Sequence, residues 1–251
     1  MDTPTPMWLA LRQGWAHRFA SVPALVVVPL SLVLGQTVAY ALGATVWGWR
    51  LDGLDLDLEA SWFGKASALV TLAAGGLVLA GALASALGTR ARLALGAALV
   101  FLGIDDLLAI HERVGWRLAH ALGGGDDVLR LAWPVAYLPF LGIAALLLLR
   151  ARAGLPRTQA RGILVALALL ALALVAELVG YGVKELGYRN RTLPDAIEVA
   201  LEEGAEIAGW SLLLVILWLA AVRDGALAGR AARLRGGSRP ASRPASRHRA
   251  S

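Results

Sequence analysis

The sequence predicts an all-α protein, a polytopic bundle of six transmembrane helices with both termini in the cytoplasm. Of its 251 residues, 58% are hydrophobic and only 17% are charged, and the mean hydropathy is +0.64. A soluble domain carries more charge, typically about 25%. The apolar residues also occur in runs of about 20, the length that crosses a bilayer. Cations concentrate in alternate connections between these runs, as they do in multi-pass proteins.

Six apolar windows are long enough to span. They are Val22–Trp47, Ala66–Leu87, Leu93–Leu122, Leu129–Leu149, Gly162–Tyr188 and Asp195–Val222. The third, fifth and sixth exceed the roughly 20 residues that a span needs, and each carries its charged residues in one half only. We therefore expect one polar and one apolar half in the bundle.

Three parts of the chain are expected. Residues 1–21 form an interfacial amphipathic segment with Trp8 and Trp15 on one face, residues 22–223 form the six-helix transmembrane domain, and residues 224–251 form a disordered Arg-rich cytoplasmic tail. This tail is expected to touch anionic lipid.

The distribution of charge predicts the orientation. Most of the Arg and Lys lie in the N-terminal segment, around Arg90, in 150–161 and in the tail, where the only acids are Asp2 and Asp224. The positive-inside rule assigns these segments to the cytoplasm and the acidic loop 52–59 to the outside. The predicted location is the cytoplasmic (inner) membrane of a bacterium.

The third window contains ionisable residues in the sequence FLGIDDLLAIHERVGW. On one continuous helix, Asp105 and Glu112 lie nearly in line, and Asp106 and His111 flank that line. Ionisable side chains inside a span are costly and indicate a functional site.

The sixth window begins with a stripe of carboxylates. Asp195, Glu198, Glu202 and Glu206 fall within about 80° of a helical wheel, and Glu203 lies beside the stripe. Asp195 follows a proline and is better explained as a first-turn acid favoured by the helix dipole.

The fifth window carries a third stripe, in which Glu177, Tyr181 and Lys184 lie in one line. Lys184 has a second interpretation, because a lysine near a helix end extends its ammonium group towards the headgroups. Tyr181 is a candidate proton donor.

Depth suggests that the three stripes meet. At 1.5 Å per residue, Asp105 lies roughly 20 Å from Arg92 and Glu206 roughly 25 Å from Arg223. Glu202 lies roughly 30 Å deep, at the far edge of the hydrocarbon core. Carboxylates at matching levels on three helices predict one shared cluster in the outer half.

Several carboxylates cannot share a low-dielectric pocket as bare anions, so they must bind a cation, pair with bases or hold protons. A single histidine among carboxylates suits iron, manganese, zinc or calcium. Glu177, Glu203, Lys184 and Tyr181 are the candidate catalytic groups. The predicted metal ligands are Asp105, His111, Glu112, Glu198, Glu202 and Glu206.

Three functions fit this pattern. The first is a membrane metalloenzyme, a hydrolase or an oxidase, whose site opens to the outer face. The second is a proton- or cation-coupled transporter, although the inner halves of the helices are almost purely apolar. The third is a structural or assembly subunit of a membrane complex. The expected partners are membrane lipid and either another protein or a second copy of the chain, but no nucleic acid.

Overall fold

A computed structural model describes residues 22–45, 61–123, 126–185 and 193–225. Over these ranges the chain is all-helical, as predicted. The seven α-helices are α1 (Val22–Thr45), α2 (Trp62–Ala80), α3 (Thr89–Leu108), α4 (Ile110–Ala121), α5 (Asp126–Ala151), α6 (Arg157–Glu185) and α7 (Leu193–Arg223). A short 3₁₀ turn, Arg152–Gly154, joins α5 to α6. The predicted amphipathic segment, the acidic loop 52–59 and the tail beyond Gly225 lie outside the described residues.

Four helices are long and apolar enough to cross a membrane. Their spanning stretches are Trp62–Ala80, Trp133–Gly154, Arg157–Gly180 and Ile197–Arg223. The bent pair of α3 and α4 provides a fifth if it counts as one broken span, and α1 offers a shorter apolar stretch, Val26–Leu42. The described residues thus hold four or five spans where the sequence predicts six.

The prediction of one continuous helix over Leu93–Leu122 is wrong. Ala109 adopts a left-handed conformation, with φ 50° and ψ 46°, and the axes of α3 and α4 differ in direction by 77°. An L-residue in this region ends a right-handed helix, and the Ala109 N–H closes the last turn on the Asp105 carbonyl. The alignment of Asp105 with Glu112 depended on a continuous helix and fails with it.

Helix α7 is the central element of the bundle. It packs against α6, α2 and α1, and 67% of its most apolar stretch is buried, at least twice the share in any of the other three spanning helices. The carboxylates Glu198, Glu202 and Glu206, near the start of α7, are each partly buried in the protein.

An apolar core fills one end of the bundle. Leu83, Leu95, Ile163, Leu213 and Leu217 are almost completely buried there, among small alanines of α2, α5, α6 and α7. We call this the arginine end, because seven arginines lie at or near it: Arg90, Arg92, Arg150, Arg152, Arg157, Arg161 and Arg223. The opposite end, towards the bend at Ala109, is the cavity end.

Small residues let α2 and α3 pack closely. A Cβ atom on Gly75 would lie 2.7 Å from the backbone nitrogen of Val100, and one on Gly103 would lie 2.9 Å from the carbonyl oxygen of Ala68. In lipid, where association depends on van der Waals contact, such glycines set how near two backbones can approach.

A polar clamp holds the arginine end together. Asp224 accepts hydrogen bonds from the Ser85 backbone N–H (3.2 Å), the Ser85 hydroxyl (2.9 Å) and Arg223 Nε (3.0 Å). Arg223 also donates to Ser85 Oγ at 2.7 Å. Partial burial disfavours the charged form of Asp224, but the bonds from Ser85 and Arg223 outweigh it and lower the pKa of Asp224 below its ordinary value.

Candidate functional site

A cavity of about 1130 Å³ occupies the cavity end and extends towards the arginine end. Side chains from all helices α2–α7 line it, so it is enclosed by most of the bundle. The lining includes eight acidic residues: Asp105, Asp106, Glu112, Glu177, Glu198, Glu202, Glu203 and Glu206. Described members of all three polar stripes recognised in the sequence therefore face one space.

Both carboxylate oxygens of Asp105 have a polar partner in the cavity. Its Oδ2 lies 2.9 Å from Nδ1 of His111, and its Oδ1 accepts a hydrogen bond of 2.7 Å from the Tyr137 hydroxyl. The side chains of Asp105 and His111 are only 6% and 15% exposed. A carboxylate held on both oxygens fixes the orientation of an imidazole ring.

An aromatic wall stands beside this pair. The ring of Trp133 lies 4.7 Å from the ring of His111, and Tyr137 meets Trp133 edge-on at 5.9 Å. Trp133 also donates from Nε1 to Glu177 Oε1 at 3.0 Å. Helix α5 thus joins the Asp105–His111 pair to the carboxylates of α6.

Glu202 lies at the centre of a group of carboxylates. Its carboxyl group lies close enough to those of Glu177, Glu198 and Glu203 to interact with them electrostatically. Gly180 makes room for this arrangement, since a Cβ atom there would collide with the carboxylate of Glu198. Carboxylates this close together repel one another unless a proton or a cation lies between them.

Glu206 lies deeper along the same face of α7. One of its oxygens accepts a hydrogen bond from Ser67 Oγ at 2.7 Å and another from Trp210 Nε1 at 3.2 Å. Ser67 is 2% exposed, so a buried hydroxyl of α2 supports this carboxylate from across the bundle. Both bonds reach Oε1 and hold the carboxylate in place on the cavity wall.

The charge of the described lining is strongly negative. Against its eight acids stand two arginines, Arg113 and Arg117, both on α4, together with His111. This excess of acids means that the cavity attracts cations or retains protons.

The predicted metal site is not preformed. Within the described ranges, no three His, Asp or Glu side chains come together as a metal site requires. Two of the predicted catalytic groups, Tyr181 and Lys184, and the acid Asp195 belong to described helices, but their side chains lie outside what the structure describes.

Sequence reasoning did not select four cavity residues: Ser67, Trp133, Tyr137 and Trp210. Tryptophan near the end of a span is usually an interfacial anchor, so Trp133 carries no signal of a place in the cavity. A tyrosine within an apolar span needs a partner for its hydroxyl group, and that signal was available for Tyr137. Ser67 and Trp210 carried no comparable signal.

The fold and the cavity define a class, the multi-pass helical membrane proteins that enclose a polar cavity at one end. The chain belongs to the family described as a domain of unknown function, DUF8692, whose model matches residues 22–222. Neither curated proteins nor solved structures match this chain.

Proposed function

We propose that this protein is an integral membrane hydrolase in which His111, oriented by Asp105, activates water. The observation that carries the proposal is the 2.9 Å contact between Asp105 Oδ2 and His111 Nδ1 on the wall of a large cavity. A carboxylate that holds an imidazole in one orientation is the arrangement used for general-base catalysis.

The reaction follows from this pair. With Nδ1–H donating to Asp105, His111 takes a proton on Nε2 from a water molecule, and the water oxygen forms a bond to the carbonyl carbon of an ester or amide. The bond from that carbon to the leaving oxygen or nitrogen then breaks, and the leaving group takes the proton from Nε2. Asp105 stabilises the imidazolium that exists in between, and Tyr137 holds Asp105 in place.

Other groups fit this role less well. Glu177 accepts a hydrogen bond from Trp133 and interacts with Glu202, so proton transfer at Glu177 would be coupled to its neighbours.

Arg113 and Arg117 line the same cavity. They supply positive charge for the oxyanion that forms when water attacks.

A metal-dependent version of the reaction is a second candidate, favoured by the excess of acids over arginines in the lining. It requires the carboxylates to move, because no three ligands are assembled within the described ranges. Asp105 would then serve as the outer partner of His111 rather than as a ligand, as is common for metal-bound histidines. Elemental analysis of the purified protein beside a His111→Ala, Glu202→Gln double mutant tests this version.

A transport function has less support. A cation pathway needs polar groups through the whole membrane, whereas the arginine end is filled by an apolar core.

We place the protein in the bacterial inner membrane, with six spans, the arginine end and both termini in the cytoplasm and the cavity end outside, on the basis of the arginine distribution.

Incorporation of labelled oxygen tests the hydrolase directly. The full-length protein is purified, reconstituted with a total bacterial membrane lipid extract in water enriched in oxygen-18, and the products are analysed by mass spectrometry. We expect at least one carboxylic acid that carries the heavy isotope with the wild type, and about a hundredfold less with His111→Gln.

The matched control is His120→Gln. His120 lies on the same helix, stacks against Trp116 at 4.2 Å and does not line the cavity. His120→Gln should therefore behave like the wild type. Equal labelling by the wild type and His111→Gln would overturn the proposal.

A further inference from the structure

The cavity wall changes character along its length. Near the cavity end it is formed by the Asp105–His111 pair and the carboxylates of α6 and α7. Towards the arginine end it continues between apolar side chains of α3, α5 and α6, including Leu99, Leu141, Leu148 and Leu167. A polar metabolite would make no favourable contact with this apolar part, because burial is favourable only between apolar surfaces.

The cavity is elongated along the helices, and its apolar part, from Leu141 to Leu148 on α5, accounts for about 10 Å of that length. On α5 the lining extends from Trp133 to Leu148, which corresponds to about 22 Å at 1.5 Å per residue. On α6 it extends from Gly180 to Leu167, about 20 Å by the same measure. The shape is that of an elongated slot along the helices rather than a compact pocket.

Helix α5 bounds this slot on one side. It packs closely on α4 but touches α3 and α6 at few positions, although all three line the same cavity. The cavity thus lies between α5 and α6, and both of these helices include stretches long and apolar enough to span a membrane.

The polar part of the cavity determines which headgroup charge can bind. Among the described residues that line it are eight acids and two arginines, so a phosphate or carboxylate would meet repulsion there and an ammonium group would be attracted. Trp133, Tyr137 and Trp210 add aromatic faces and edges to the same wall, and such surfaces also favour cations.

We propose that the cavity binds a single-chain membrane amphiphile with an amine headgroup, its chain lying in the slot between α5 and α6. The inference rests on the proposed function only for placing the headgroup beside His111, where an acyl ester or amide bond of the amphiphile would be cleaved. It names the substrate class of that site.

Three probes test the ligand class with the full-length protein. Hexadecylamine carries both features, hexadecanoic acid has the chain with the opposite charge, and butylamine has the charge without the chain. Binding is measured by native mass spectrometry of the detergent-solubilised protein. We expect hexadecylamine to bind at least about tenfold more tightly than either other probe. Equal affinity for hexadecanoic acid or for butylamine would overturn the proposal.

Two variants on α5 test where the hydrocarbon chain of the ligand binds. Ala145 lines the slot, and Ala145→Phe should weaken hexadecylamine binding about tenfold by filling it. Ile143, two residues away, is 58% exposed on the outer surface and outside the lining, so Ile143→Phe should bind as the wild type does. Equal binding by both variants would show that the amine attaches elsewhere. If Ala145→Phe fails to fold, the comparison of the three probes on the wild-type protein still tests the ligand class.

The proposal for the ligand class and the proposal for the reaction can be refuted independently. Hexadecylamine has no ester or amide bond, so its binding requires no turnover. Hexadecylamine binding without oxygen-18 incorporation overturns the hydrolase and keeps the ligand. Incorporation without hexadecylamine binding overturns the ligand class and keeps the hydrolase.

Discussion

Asp105 and His111 lie on opposite sides of a break in the chain, six residues apart, with Oδ2 of one 2.9 Å from Nδ1 of the other. On a continuous helix, residues six apart point away from each other, because the separation corresponds to about 600° of rotation. The left-handed Ala109 turns α4 by 77° relative to α3 and brings His111 back towards Asp105. The bend therefore assembles the pair on which the proposed chemistry depends.

The backbone of Ala109 makes this bend costly. A non-glycine residue with φ near 50° is strained, so Ala109→Gly should raise the free energy of unfolding by about 1 kcal/mol. Ala97→Gly is the control, since Ala97 lies in the interior of α3 and is exposed, and it should lower the same quantity by about 1 kcal/mol. Chemical unfolding in detergent measures both. Destabilisation by both changes would contradict the strain at Ala109.

Two adjacent glycines of α2 should respond in opposite ways to alanine. A Cβ atom on Gly75 would lie 2.7 Å from the backbone nitrogen of Val100, whereas Gly76 has nothing within 4 Å. Gly75→Ala should therefore lower the free energy of unfolding by about 2 kcal/mol, as overpacking does. Gly76→Ala should leave it unchanged or raise it by about 0.5 kcal/mol, because alanine is the better helix former. A similar decrease in the free energy of unfolding for both variants would contradict the close packing of α2 against α3.

The clamp around Asp224 should make stability depend on pH. Its pKa is lower in the folded protein than the ordinary 3.8, so the stability contributed by the ionised carboxylate is present near neutral pH. That contribution is lost as the pH falls below about 4, through the folded-state pKa.

Asp224→Asn should accordingly cost about 1 kcal/mol at neutral pH. The difference from the wild type should shrink in acid. Arg157→Gln removes a charge at the same end and serves as the control, with little effect at either pH. A difference that stays constant from neutral pH to acid would show that the ionised form contributes nothing.

The sequence predicted most of the helices and many of the acidic residues that line the cavity, but not their contacts. Hydropathy located most of the apolar helices, because each must satisfy its backbone hydrogen bonds internally, but the second helix ends at Ala80 rather than Leu87 and the third window holds two helices. Carboxylates such as Glu202 and Glu206 stood out because charge within a span is costly. The break at Ala109 had no local signal, as alanine favours a helix. The bond from Tyr137 to Asp105 joins residues 32 positions apart, which helical periodicity cannot predict.

The orientation of the cavity can be measured because the chain contains no cysteine. Leu122, at the end of α4, is 67% exposed, and Thr89, at the start of α3, is exposed near the arginine end. In intact bacterial cells, Leu122→Cys should react with a membrane-impermeant maleimide, whereas Thr89→Cys should react only after permeabilisation, because arginines favour the cytoplasmic side. The cysteine-free wild type controls for background labelling. The reverse pattern would place the cavity on the cytoplasmic side, and the amphiphile would then enter from the inner leaflet.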